Sequence, residues 1–371
     1  MRQVLKRIAL LLFGCALALG LPELGLRVIG YAGDAERGRR VFDPRYGAVP
    51  RDSWIWSFRI DPRVHRAVDL RGQLIPLAKP EAETRVLFLG DSATEGAFVE
   101  TQENFPNVFQ RLLSQRDPAQ RVRAINAGVW GMTTIDEYHL LQDKLLPLRP
   151  DVVVIGLFMA NDLNMNLGHR ARAPHTASLA GYLREHSALA HFVALRLVAL
   201  GARRPGLAAD GGGGALLPEA FSLVDARGLS MLSYPAGELA TYIVPASALI
   251  DRAFDTLQRV LSDFQALGRR ANFRLHVLLI PSPSRVLGRL AILHYPNLLR
   301  ELATDGIRVD PRSIDVDEPT RRVLAICARL DLPCSDPTRR LQRLGRRAFF
   351  PSDEHPSALG HRALAEELLG L

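Results

Sequence analysis

Arg85-Val86-Leu87-Phe88-Leu89-Gly90-Asp91-Ser92 begins as an unbroken apolar run and ends as a polar turn. A strand with no polar alternation is buried on both faces, as in a parallel sheet covered by helices. Downstream the same pattern recurs between helical stretches. A helix is expected from Phe105 to Ser114, a strand from Val122 to Asn126 and a helix from Thr134 to Leu146. Asp151-Val152-Val153-Val154-Ile155-Gly156-Leu157 is the clearest strand in the chain. A helix from Leu249 to Arg270, a strand from Phe273 to Ile280 and a helix from Pro319 to Leu330 follow. A short strand near Leu332 to Cys334 and a helix from Ser357 to Leu369 close the series. Strands alternating with helices predict an α/β domain built on a parallel sheet.

Two regions fall outside that rhythm. Between about Leu163 and Ala246 the chain holds a helical stretch from Leu179 to Leu200 and a loop at Gly211-Gly212-Gly213-Gly214. This segment reads as an insertion over the carboxyl edge of the sheet, where open α/β sheets bind ligands. Residues from about Asp34 to Glu83 are irregular and proline-bearing. Within them Trp54, Trp56 and Phe58 alternate with Ile55 and Ser57, as in a short strand. The expected organisation is an N-terminal segment over 1–30, a connector over 31–83 and an α/β domain over 84–371 with its insertion at about 163–246.

The N-terminal segment reads as an export signal. Arg2, Lys6 and Arg7 precede an apolar run from Ile8 to Leu21. Basic residues stay on the cytoplasmic side of a membrane, so the rest of the chain is expected outside it, periplasmic or otherwise extracytoplasmic. Ala16-Leu17-Ala18 suits cleavage by a signal peptidase. Leu24 to Ile29 resumes the apolar character after Pro22 and Glu23, so an uncleaved anchor over residues 8–29 is the alternative.

Composition limits the remaining choices. The chain is 47% hydrophobic and 23% charged, as in an ordinary globular protein. Its formal net charge is +8, carried almost wholly by arginine, since Lys6, Lys79 and Lys144 are the only lysines. The arginines read as scattered among acidic residues, without the basic stripe of a nucleic-acid binder, so no nucleic-acid partner is expected. The positive balance favours anionic surfaces such as lipid or acidic polysaccharide. Cys15, Cys327 and Cys334 include no Cys-x-x-Cys pair, and no structural metal is expected. Cys327 and Cys334 are read as two free thiols or, in an exported protein, as a disulfide.

Four short motifs carry the chemistry. Gly90-Asp91-Ser92 places a serine in a strand-to-helix turn, where it is either a nucleophile or a helix cap. Asn126-Ala127-Gly128-Val129-Trp130-Gly131 follows the second strand, and a glycine there lets a ligand approach the backbone. Ala160-Asn161-Asp162 follows the third strand and supplies an amide donor or an ordinary turn. Asp353-Glu354-His355-Pro356 precedes the last helix. A histidine within reach of Ser92 takes its proton while a carboxylate orients the ring.

In this order the four motifs resemble the GDSL/SGNH hydrolase family over roughly residues 84–371. The resemblance implies a flavodoxin-like three-layer fold, with Ser92 as nucleophile and His355 as general base. It also implies an oxyanion hole from the Ser92 and Gly131 amides and the Asn161 side chain. Gly131 is preferred to Gly128 because the family's glycine lies five positions after the asparagine of its block. Many members carry Asp-x-x-His, whereas position 352 here is Ser352. Asp353 then becomes the candidate orienting acid, in a spacing similar to alginate-type O-acetyltransferases.

The resemblance implies a serine esterase acting through an acyl-serine intermediate, with no cofactor and no metal. Its substrate is expected to be an acylated small molecule, lipid or polysaccharide, with a membrane contact through the N-terminal segment. Acyl transfer to a cell-envelope polysaccharide uses the same residues and stays open. So does a non-catalytic envelope protein that keeps the fold as a binding module.

Overall fold

The computed structural model describes residues 2–28, 40–43, 47–50, 67–68, 74–75, 77–96, 99–167, 222–224, 230–232, 236–288, 290–291, 309–350 and 354–371, and the single positions 187, 189 and 193. The expected strand at Trp54–Phe58, the glycine loop at Gly211–Gly214 and Asp353 lie outside them.

Five parallel strands form the central sheet: β1 (Glu83–Gly90), β2 (Arg121–Gly128), β3 (Val152–Phe158), β4 (Arg274–Ile280) and β5 (Cys334–Ser335). Their order is β5-β4-β3-β1-β2. This is the flavodoxin-like order, and its switch point lies between β1 and β3. Chain leaving these two neighbouring strands moves to opposite sides, which opens a crevice at their carboxyl ends.

Residues alternate faces along each strand, so the two sides of the sheet bury different sets. Leu87, Leu89, Val153 and Ile155 face one core, covered by α4 (Thr134–Leu140), α7 (Ala248–Ala271) and α9 (Glu318–Arg329). Val86, Phe88, Val154 and Phe158 face the other, covered by α3 (Phe105–Arg116), α10 (Thr338–Leu344) and α11 (Ala358–Glu367). Helix α7 shows why its sequence is helical. Ile250, Phe254, Leu257, Leu261 and Phe264 recur every three or four residues, all are buried, and Ser247 caps the first turn by accepting from the Ile250 N–H. The remaining labels are α1 (Arg2–Val28), α2 (Ser92–Glu95), α5 (Asp162–Leu167), α6 (Ala236–Thr241) and α8 (Pro283–Val286).

Some expected boundaries shift. The helix read from Thr134 to Leu146 leaves α-geometry after Leu140, passing through a π-turn over Leu141–Leu145 and a 3₁₀ turn over Leu146–Leu148. Pro147 lacks an N–H and its ring crowds the preceding turn, so the α-helix cannot continue. Upstream of the sheet, Arg40–Asp43 pairs with Gly47–Pro50, and Ala67–Val68 with Leu74–Ile75, both antiparallel. The segment read as an insertion holds, among its described residues, α5, an antiparallel pair of Ser222–Val224 with Ser230–Leu232, and α6. Both Cys327 and Cys334 are free thiols.

Helix α1 runs unbroken through Pro22, with Leu10, Phe13 and Val28 all more than 60% exposed. Among the described residues no helix is long and apolar enough to cross a membrane. Glu23 of this helix accepts from the Ser187 hydroxyl and the Leu189 N–H, each at 2.8 Å.

Gly128, Gly90 and Gly156 lie side by side at the carboxyl ends of β2, β1 and β3. Their missing side chains let α2 rest on the sheet. A Cβ at Gly128 would sit 2.2 Å from the Glu95 nitrogen, and one at Gly156 would sit 2.2 Å from Thr94 Oγ1. Backbone cannot yield as a side-chain tip can, so Gly128→Ala should lift α2 and move Ser92. The expected cost is about 1–3 kcal/mol, the usual range for overpacking, read as a lower urea midpoint. Activity should fall further than stability, because Ser92 moves even where the chain still folds. Unchanged midpoint and turnover would show that α2 does not depend on this contact.

Candidate active site

Ser92 sits at the first position of α2, directly after β1. The capping role belongs to Asp91, whose Oδ1 accepts from the Ala93 N–H at 2.9 Å. Ser92 is thus no helix cap, and its hydroxyl is free for other work. It is 4% exposed.

The hydroxyl lies 2.7 Å from Nε2 of His355, a residue 263 positions away. The His355 turn is held to the segment after α10. The Phe350 N–H donates to the His355 carbonyl at 3.2 Å, the Ser357 N–H donates to the Ala348 carbonyl at 2.8 Å, and Phe349 bridges Pro356. Trp130 and Phe158 place their rings 5.7 Å and 5.8 Å from the imidazole. The histidine is therefore 7% exposed and confined between two aromatic rings.

Asn161 follows β3 across the switch point. Its Nδ2 donates to Asp91 Oδ2 at 2.9 Å, while its Oδ1 is buried without a partner among the described residues. An amide nitrogen has two hydrogens, so one remains for a ligand. Gly131 adopts φ +71, with nothing within 4 Å of where a Cβ would stand. The neighbouring Trp130 N–H is tied to Glu95 Oε2 at 2.7 Å, which fixes this turn to α2. The first N–H groups of a helix have no partner within it, so the Ser92 amide is also available. Ser92, Gly131, Asn161 and His355 thus stand on the loops that follow β1, β2 and β3 and on the turn before α11.

Three buried carboxyls, Asp91 next to Ser92 together with Glu137 and Asp162, interact with one another and were not singled out from sequence. Burial, then the negative Asp162, Asp91 and Asp136 beside it, holds Glu137 well above the ordinary carboxyl range. Asp162 is raised well above it by burial and by Asp91, opposed by a bond from the Phe158 N–H at 2.7 Å. Burial raises Asp91 too, but Asn161, the Ala93 N–H and His355 all pull it back. With that set of donors, Asp91 is the member best able to stay ionised. Glu137 and Asp162 lie in the first turns of α4 and α5, positions where an acid is usually a surface cap.

A second acid lies beside His355. Glu354, adjacent to His355, is 3% exposed. Burial pushes it up to about 7, against the pull of His355 and with a further push from Asp91. A buried carboxyl coupled to the imidazole is a second candidate beside Asp353, which the sequence favoured.

Residues 88–229 match the model of the GDSL-like lipase/acylhydrolase family. The matched stretch holds Ser92, Gly131 and Asn161 and ends before His355, which the fold supplies. Over that stretch, less than half of the chain, the sequence is similar to GDSL-like lipases and acylhydrolases. A search of the curated proteins found no match. Among solved structures, the acetylxylan esterase Axe2 from Geobacillus stearothermophilus is 13% identical with a TM-score of 0.40, covering 78% of this chain and 95% of that one. TesA is 13% identical with a TM-score of 0.39, covering 77% and 97%. The hydrolase LAE5 from the Lake Arreo metagenome is 12% identical with a TM-score of 0.39, covering 77% and 94%. Scores and identities this low say nothing about activity.

A general base must be a neutral imidazole, so turnover should fall as pH drops through the histidine range, roughly 6.5 when unperturbed. Glu354, pushed up to about 7, ionises over this same range and as it does so favours the imidazolium. Glu354→Gln should therefore move the acid limb to lower pH, by up to about one unit, with Asp353→Asn measured alongside. A limb that stays in place in Glu354→Gln but moves in Asp353→Asn would return the role to Asp353.

Proposed function

We propose that the chain hydrolyses a carboxylic ester through an acyl-serine intermediate. The observation that carries this reading is the 2.7 Å contact between Ser92 Oγ and His355 Nε2 at the switch point. His355 accepts the Ser92 proton as the oxygen attacks the acyl carbon. The carbonyl oxygen becomes an oxyanion facing the Ser92 and Gly131 amides and the Asn161 side chain. Each such donor is typically worth about 10²–10³ in rate. The imidazolium then returns its proton to the leaving alcohol. Water repeats the sequence on the acyl-serine and releases the acid.

Acyl transfer differs only in the second nucleophile, a sugar hydroxyl in place of water. The likeness to alginate-type O-acetyltransferases rests on the Asp353-Glu354-His355 spacing. Hydrolysis is the preferred reading because the family model matched over residues 88–229 is that of a lipase/acylhydrolase.

We also place the catalytic domain outside the cytoplasm, with α1 as its signal or anchor. The basic head followed by an apolar run supports this, as does the exposure of Leu10 and Phe13 on α1. An alkaline phosphatase fusion after about residue 40 should be active in a bacterial host. Silence there, with a paired cytoplasmic reporter active, would reverse the topology.

For the chemistry, Ser92→Ala should lower turnover of 4-nitrophenyl acetate by ~10⁴-fold or more, with His355→Ala costing about as much, because the two act as one unit. A fluorophosphonate probe should label the wild type and not Ser92→Ala. Labelling that survives the substitution would place the nucleophile elsewhere.

A further inference from the structure

The segment that carries the His355 turn is strongly basic. Residues 338–350 contain five arginines and no acid. Arg340 is neutralised by Glu367 at 2.6 Å and Glu366 at 3.8 Å. Arg339, Arg343, Arg346 and Arg347 are exposed and have no ion-pair partner among the described residues. The expectation that the arginines are scattered fails here. Arg339 and Arg343 are one helical turn apart on α10, Gly345 then turns the chain with φ +57, and Arg346 and Arg347 follow in a 3₁₀ turn over Gly345–Ala348, so the four make a row along nine residues of chain.

This row is joined to the catalytic turn by hydrogen bonds. The Ser357 hydroxyl donates to the Arg347 carbonyl at 2.6 Å. Together with the Ser357–Ala348 and Phe350–His355 bonds, it ties the end of the row to both flanks of His355.

We propose that Arg339, Arg343, Arg346 and Arg347 bind a carboxylated polysaccharide and present its ester groups to Ser92. The proposal rests on the esterase reading and names its substrate class. Four unpaired positive charges in a row call for a polyanion, since a small acid occupies one or two of them. Guanidinium forks match carboxylates with paired hydrogen bonds, which an ammonium cannot do. A membrane surface fits less well. Leu341, Ala348 and Phe349 on this segment are buried and Leu344 and Phe350 are half-buried, so none of its apolar side chains stands fully exposed to insert among acyl chains. Nucleic acid fits the charge, but it carries no carboxylic ester for Ser92, and Phe349 is not exposed for stacking. An ester-bearing acidic polysaccharide satisfies both the site and the row.

The test compares O-acetylated polygalacturonate with neutral acetylated xylan, using wild type and the triple variant Arg339→Gln/Arg343→Gln/Arg347→Gln. These side chains are exposed, so the variant should fold, and its turnover of 4-nitrophenyl acetate should match wild type. Wild type should show a KM about tenfold lower on the acidic polymer, the worth of three exposed charge contacts together. The triple variant should lose that preference, as should wild type when salt rises from about 50 to about 500 mM. Equal KM values on both polymers in wild type, or a preference that survives the triple variant, would overturn the proposal. So would arginine-dependent binding to phosphatidylglycerol vesicles or duplex DNA without binding to polygalacturonate. Affinity electrophoresis through unacetylated polygalacturonate keeps the row separable from the esterase reading. Retardation of wild type alone supports the row even if no ester is cleaved, and equal mobilities sink it.

Discussion

One carboxylate joins the parts of this site. Asp91 uses one oxygen to cap the short helix that carries Ser92 and the other to hold the Asn161 amide, 70 residues away. The first bond fixes the serine's backbone, and the second ties the loop after β3 to the loop after β1. Those loops leave the sheet on opposite sides of its switch point, so without a tie the crevice between them has no fixed width. The same carboxylate lies near His355, where its charge favours the imidazolium that forms when Ser92 gives up its proton. Capping, oxyanion-donor placement and charge compensation thus meet in a single buried side chain.

Holding a charge there has a cost that the surroundings help to meet. A buried carboxylate is tolerated when it accepts enough hydrogen bonds. Asp91 does, while burial and mutual repulsion raise its neighbours Glu137 and Asp162 well above the ordinary carboxyl range. The glycine row across β2, β1 and β3 contributes in another manner, by removing bulk so that α2 can sit directly on the strand ends. Local backbone choice and buried electrostatics therefore serve one purpose, a serine hydroxyl fixed at a sheet edge.

The sheet was legible in the sequence because its strands are buried on both faces and so read as plain apolar runs. Arg85–Leu89 and Asp151–Leu157 needed no partner to be recognised. Ser92 and Asn161 were legible because each follows such a run, and His355 because a helix follows it. What was not legible depends on contacts across the fold. The cap at Ser92 and the cap at Asp91 are indistinguishable until the turn is built. Glu354 and Asp353 are adjacent acids, and only burial separates Glu354 from a surface residue. Glu137 and Asp162 look like helix-start acids because nothing local reveals that their helices point into the core. The arginine row was hidden by counting charges over the whole chain instead of over the nine residues from Arg339 to Arg347.

The separation of 263 residues between Ser92 and His355 has a further bearing on how activity is gained and lost. The proposed nucleophile and oxyanion donors follow β1, β2 and β3, while the proposed base hangs from the segment between α10 and α11. Opening that segment alone would remove the base and leave the serine, its cap and the sheet beneath it undisturbed. Catalysis is then a readout of cooperative closure, sensing whether distant stretches of chain have docked before any spectroscopic measure of the sheet would change.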